Sequence, residues 1–118
     1  MNNEKVLKIP LRKVHAIEII KGEKKREYRA FSDHWASRIC ECDPNDKYLV
    51  TGMKHFDAVR FYPYNRKWHL DCKIKAIDLC KVDEEFIKLF GEEVECEPGQ
   101  DIIVISLGEV ISTDLEVQ

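Results

Sequence analysis

Lys24, Glu27 and Arg29 are the side chains whose types and spacing best suit chemistry, and they follow a glycine at position 22 in the order G-x-K-x-x-E-x-R. A lysine ammonium is a compact charge with three donors, suited to a phosphate or a carbonyl oxygen. Glu27 and Arg29 are two apart, so on a strand they share a face, and Tyr28 points the other way toward a core. Arginine presents a planar fork to phosphate or to a guanine edge, and glutamate accepts from amino or imino groups. Charges crowded at a helix-to-strand junction are costly unless water, a charged ligand or one another meets them. A ligand cleft and an internal Lys24–Glu27–Arg29 ion-pair network both satisfy that condition. Tyr62 and Tyr64, beside Pro63 and Arg66, are exposed candidates for stacking on a base. Trp35 and Trp68 lie in patterns that favour the core.

The cysteines point elsewhere. Cys40, Cys42, Cys72, Cys80 and Cys96 are odd in number and show no framework spacing, so reduced thiols are expected. Cys40-x-Cys42 near His34 has too short a gap for a zinc pair and lacks a second pair, so no metal and no cofactor is expected. The sequence contains no Gly-rich phosphate loop, nucleophile elbow or HExxH.

The elements that must position these groups are short. Lys5 to Pro10 reads as a first strand. Leu11 to Lys21 reads as a helix with an apolar stripe of Leu11, Val14, Ile17 and Ile20, and Gly22 suits its C′ position. Glu27 to Phe31 reads as a strand. Ser32 caps a short helix through Ile39 that carries His34, Trp35 and Arg38. Cys42 to Asp46 reads as a loop, and Tyr48 to Val50 as a strand ending near Gly52. Phe56 to Tyr62 and Lys67 to Leu79 read as two strands joined by Pro63 to Arg66, with a phase slip at Ala76-Ile77. Asp83 to Phe90 reads as a capped helix stopped by Gly91. An acidic loop follows, then a central strand from Ile102 to Leu107, with a break at Gly108 and a continuation over Glu109 to Ser112. Many short strands with two or three short helices predict an α+β protein on a small mixed or closed barrel.

At 118 residues the chain is the size of one domain, and no linker or repeat divides it, so a single domain over 1–118 is expected. Its hydrophobic content of 44% and charged content of 35% are globular values. No apolar run approaches the ~20 residues of a bilayer span, and Met1-Asn2-Asn3-Glu4-Lys5 lacks the apolar core of a secretory signal. A cytoplasmic protein without membrane partners is expected. The net charge of −3 argues against generic nucleic-acid binding, but its distribution is uneven. Residues 1–82 carry 18 Lys/Arg against 11 Asp/Glu, and residues 83–118 carry one Lys against 11 Asp/Glu. Such asymmetry lets an acidic protein present a basic face to an anion.

The octapeptide from Gly22 resembles the signature of the ASCH domain, a PUA-like family associated with RNA. Tyr28-Arg29 with Trp35-x-x-Arg38-Ile39 resembles the Y-R…W-x-x-R-I pattern of its single-domain bacterial and phage-type branch. Phe56 to Phe61, Lys73 to Ile77, and Ile102 to Val110 with its L-G-E ending are similar to the family's later strands, in the same order. One departure is Tyr62-Pro63-Tyr64-Asn65, where that branch often has a Gly-Tyr pair. The resemblance implies a PUA-like mixed β-barrel with two or three short helices. It also implies an RNA or nucleotide-like ligand in a cleft lined by Lys24, Glu27 and Arg29, with Tyr62, Tyr64 and Arg66 as further contacts. In the amidohydrolase branch a Lys, a Thr and a Glu serve the active site. Lys24 matches that Lys, Glu27 stands where the Thr would be, and Glu84 or Glu85 are weak matches for the distant Glu. The alternative it implies is a small hydrolase of a modified nucleoside such as N-acylated cytidine, using Lys24 and Glu27. A third reading is a protein-interaction domain that uses the acidic C-terminal third.

Overall fold

The computed structural model describes residues 5–117, so the first four residues and Gln118 of the expected 1–118 domain lie outside the described residues. The chain is α+β. Its elements run β1 (Val6–Pro10), α1 (Lys13–Ile20), β2 (Arg26–Ala30), α2 (Asp33–Ile39), β3 (Cys40–Asp43), β4 (Asp46–Met53), β5 (Ala58–Tyr62), β6 (Leu70–Lys81), α3 (Glu84–Phe90) and β7 (Asp101–Thr113). One sheet has the strand order β1-β5-β6-β7-β2, and β3 and β4 form a separate hairpin. The larger sheet is mixed, because β1 runs parallel to β5 and β5 antiparallel to β6. Among the described residues no helix is long and apolar enough to cross a membrane.

The chain forms two compact units. Among the described residues the first comprises 5–27, 55–76 and 106–117, and the second comprises Tyr28–Lys54 and Ile77–Ile105. In the first unit Leu7 and Ile9 of β1, Val59 and Phe61 of β5, and Leu70 and Cys72 of β6 are buried. Each pair is two residues apart, as a sheet with one covered face requires. Burial pushes the Cys72 thiol up to about 12, with help from the Asp71 charge, so it stays protonated. In the second unit Tyr28, Val82, Phe86, Ile102 and Val104 form an apolar cluster. The Ser32 hydroxyl there accepts from the Trp35 N–H at 3.3 Å, and the Asp83 carboxylate accepts from the Phe86 N–H at 2.8 Å, so both expected caps are present.

Several expectations need correction. The buried residues along α1 and its approach are Leu11, Ala16 and Ile19, whereas Val14 is 55% exposed. The i, i+3 stripe drifts around a 3.6-residue helix, and a buried alanine marks the true face better than the valine does. The expected loop from Cys42 to Asp46 narrows to a turn at Pro44-Asn45, and its flanks belong to β3 and β4. Cys40 pairs with Met53 and Cys42 with Val50, and the register shifts on both sides of Cys42. Such irregularity erases the alternation that a sequence pattern depends on. β6 begins at Leu70 rather than Lys67, so the connection from β5 is longer than a tight hairpin. β7 passes through Gly108 unbroken. A Cβ at Gly108 would lie 3.2 Å from the Lys73 Cβ, so the glycine permits a close approach rather than ending the strand.

Candidate functional site

Lys24 is delivered by the end of α1. Gly22 takes φ +79°, and the Gly22 N–H donates to the Ile19 carbonyl at 3.0 Å while the Glu23 N–H donates to the Glu18 carbonyl at 2.9 Å. These two bonds complete a Schellman motif and turn the chain out of the helix. The Lys24 N–H also donates to the Glu18 carbonyl, at 3.2 Å. Three residues on, Glu27 sits in β2, and Lys24 Nζ lies 3.5 Å from Glu27 Oε1. Their side chains are only 14% and 8% exposed, and Glu27 is a buried charged residue. The structure thus brings Lys24 and Glu27 together as an ion pair within the first unit.

Arg29 and Tyr28 belong to the second unit. The Arg29 guanidinium donates from Nη1 to the Tyr28 carbonyl at 2.7 Å and lies 5.4 Å from the Trp35 ring centre. Tyr28 is buried, as its position opposite Arg29 predicts, and its hydroxyl donates to Glu93 Oε1 at 3.0 Å. Glu84 and Glu85 occupy the exposed first turn of α3.

A second grouping in the first unit contains Tyr62 and Arg66. The Arg66 guanidinium stands 4.5 Å from the Tyr62 ring centre, a cation–π distance. Arg66 reaches it with φ +61°, a left-handed conformation uncommon for a side chain of its size. The Arg66 N–H donates to the Pro63 carbonyl at 3.0 Å, closing the turn, and the Asn65 side chain accepts from the Lys67 N–H at 3.1 Å. Both residues line an open concavity of about 240 Å³ together with Lys8, Arg60, Trp68, His69 and Asp114. Tyr64 is outside that lining and is 88% exposed at the turn.

Strand register supplies the other cations. Lys8 and Arg60 are direct partners across the parallel β1–β5 pair, so they share a face. Arg60 is opposite Asp71 in β6 and holds its carboxylate with two bonds of 2.7 and 2.8 Å. Those bonds raise the Arg60 pKa further. His69 is clamped by the end of β7. The Asp114 carboxylate accepts from the His69 N–H at 2.9 Å, and Thr113 Oγ1 donates to the His69 carbonyl at 2.8 Å. Asp114 Oδ2 also lies 3.5 Å from His69 Nδ1, and Ser112 Oγ lies 3.1 Å from His69 Nε2. The His69 N–H, above all, holds the Asp114 carboxyl below its ordinary value. Sequence patterns missed Lys8, Arg60, His69, Ser112 and Asp114, because only strand register and chain return bring them together.

The second unit has its own concavity of about 550 Å³, lined by Asp33, Ala36, Ser37, Cys40, Glu41, Cys42, Lys47 and Lys54. Lys47 pairs with Asp33 at 3.3 Å, and Lys54 Nζ donates to the Ser37 carbonyl at 2.6 Å. Burial raises the Cys40 pKa, and Cys42 adds to the effect. Among the described residues no group of three or more His, Cys, Asp or Glu side chains comes together as a metal-ligand set. No protein-family model, curated protein or solved structure matches the chain.

Proposed function

We propose that the protein is a cytoplasmic, single-domain ASCH protein with a PUA-like barrel, and that it binds RNA or a nucleotide-like ligand. The observation that carries the proposal is Arg66, held in a left-handed conformation with its guanidinium over Tyr62 at the edge of a basic, aromatic concavity. Backbone strain persists where surrounding structure enforces it, and it gathers at ligand sites. Lys8 and Arg66 offer charge to phosphate, and Tyr62 and Trp68 offer ring faces to a base. Phosphate binding from several cations makes affinity depend on salt. Lys24, Glu27 and Arg29 are the cleft residues that the sequence resemblance implies, and Tyr64 and Arg66 extend the contact surface from the turn.

The test is fluorescence anisotropy of the full chain with a labelled single-stranded RNA. Arg66→Gln is expected to weaken binding and to lower the log–log salt slope by about 0.7, the loss of one single-strand phosphate contact. Tyr62→Ala is expected to cost roughly 1–3 kcal/mol if a base stacks there. A wild-type chain without measurable affinity for RNA, single-stranded DNA or nucleotides removes the proposal.

A second reading is hydrolysis of a modified nucleoside, favoured by the buried 3.5 Å Lys24–Glu27 pair. Lys24 would polarise the scissile carbonyl and Glu27 would carry the proton, a general acid–base role typically contributing ~10²–10⁴-fold. Wild-type protein that leaves N-acylated cytidine intact, or full turnover in Glu27→Gln, rejects it.

A further inference from the structure

The contacts around His69 form a chain of three functional groups. Asp114 faces one ring nitrogen at 3.5 Å and Ser112 the other at 3.1 Å. The carboxylate also grips the His69 backbone N–H at 2.9 Å, and Thr113 Oγ1 grips its carbonyl at 2.8 Å, so ring and backbone are both oriented. A carboxylate on Nδ1 favours the tautomer that carries its proton there. In that tautomer Nε2 is an acceptor within 3.1 Å of Ser112 Oγ, so it can receive the hydroxyl proton. Nucleophile beside base, with the base oriented by a third group, is the diagnostic geometry of covalent catalysis. It is recognised by roles and not by chain order. His69 and Asp114 line the same concavity as Lys8, Arg60 and Arg66. The His69 side chain is 30% exposed and that of Asp114 53%, so the set is open to a substrate.

We infer that Ser112, His69 and Asp114 form a nucleophile, base and orienting group that hydrolyse small carboxylic esters carrying negative charge. This activity requires neither nucleic-acid binding nor the Lys24–Glu27 pair, although it draws on Lys8 and Arg66 of the same concavity. Ser112 Oγ attacks the ester carbonyl carbon as its proton passes to His69 Nε2, and the carbonyl electron pair moves to oxygen. Collapse of the tetrahedral adduct breaks the bond to the leaving alcohol, which takes the proton from His69. Water, deprotonated in turn by His69, attacks the acyl-serine, releasing the carboxylic acid and restoring Ser112. Lys8 and Arg66 attract the anionic part of the substrate. Asp114 acts through His69 and is a positioning residue.

The experiment compares hydrolysis of p-nitrophenyl acetate and mono-p-nitrophenyl succinate by the full chain and by Ser112→Ala, together with fluorophosphonate labelling mapped by mass spectrometry. The wild type is expected to turn over both esters and to prefer the succinate. Ser112→Ala is expected to lose activity by ~10²-fold or more, the scale of a general-base-assisted step. The fluorophosphonate is expected on Ser112, and Asp114→Asn is expected to lower kcat with KM little changed. Labelling uses the unmodified chain, so a misfolded variant cannot mask the outcome. Equal rates for wild type and Ser112→Ala, or no adduct on Ser112, overturn the inference.

Discussion

Lys24 and Glu27 form one charged region of the first unit, and Arg66 and Tyr62 form another. The first is packed away, with side chains 14% and 8% exposed and an ammonium facing a carboxylate. The second is open, with a guanidinium against a ring and an acidic clamp nearby. A buried ion pair contributes little net stability when intact, yet removing one partner strands the other charge. An exposed cation over a ring costs little to remove but is available to a ligand. The same residue chemistry therefore carries structural weight in one place and binding capacity in the other. Motif spacing alone does not separate the two roles; burial does.

The sharpest break in that comparison is Glu27→Ala. It removes the carboxylate 3.5 Å from the Lys24 ammonium, whose side chain is only 14% exposed, and the expected loss is about 3 kcal/mol. Urea denaturation monitored by circular dichroism measures it. A loss under about 1 kcal/mol would place Glu27 with the open region, as a group whose burial costs the fold nothing.

Legibility in the sequence follows the same division between local and non-local. Helix ends were readable because their signals lie within a few residues: Ser32, Asp83 and Gly22 occupy the capping positions their chemistry predicts. The Lys24–Glu27 pairing was readable for the same reason, being three residues apart. The strand Cys40–Asp43 was not, because its register shifts around Cys42 and its pattern follows no period of two. The basic concavity was half legible. Tyr62 and Arg66 are near neighbours in sequence, but Lys8 joins Arg60 only through a parallel pairing of β1 with β5. His69 meets Asp114 across more than forty residues. Parallel pairing and chain return leave no local trace, so the residues they assemble were missed.

A smaller effect of opposite sign is expected at Arg66. A non-glycine residue in the left-handed region costs on the order of 1 kcal/mol, and glycine removes that cost. The cation–π contact with Tyr62 is exposed and offsets roughly 0.5–1 kcal/mol of the gain. Arg66→Gly should therefore hold stability constant or raise it by up to about 1 kcal/mol, while RNA or nucleotide affinity falls. Stability and affinity moving in opposite directions would mark strain kept for binding. A stability loss above about 1 kcal/mol would instead make Arg66 part of the scaffold, like Glu27.

The smallest expected effect concerns acid and the clamp on His69. The Asp114 carboxyl lies below its ordinary value, chiefly because it accepts the His69 N–H and also because it faces the imidazole. A carboxylate whose folded pKa is depressed stabilises the fold above its unfolded pKa, and that contribution is lost as pH falls through the folded value. The clamp should therefore hold through the ordinary carboxylate range, near ~4, and loosen only below it. The charged or polar groups that act on Asp114 are His69, by its backbone N–H and its ring, and Arg60, by charge. Because Asp114 is on the surface, the consequence is local, with the His69 amide resonance moving while the melting temperature barely responds. A proton–nitrogen NMR titration reads that amide directly, and Asp114→Asn should flatten its low-pH step. A step centred at or above the ordinary aspartate value would mean that the clamp does not hold in solution. The open region would then lack the fixed histidine that distinguishes it from an ordinary basic surface.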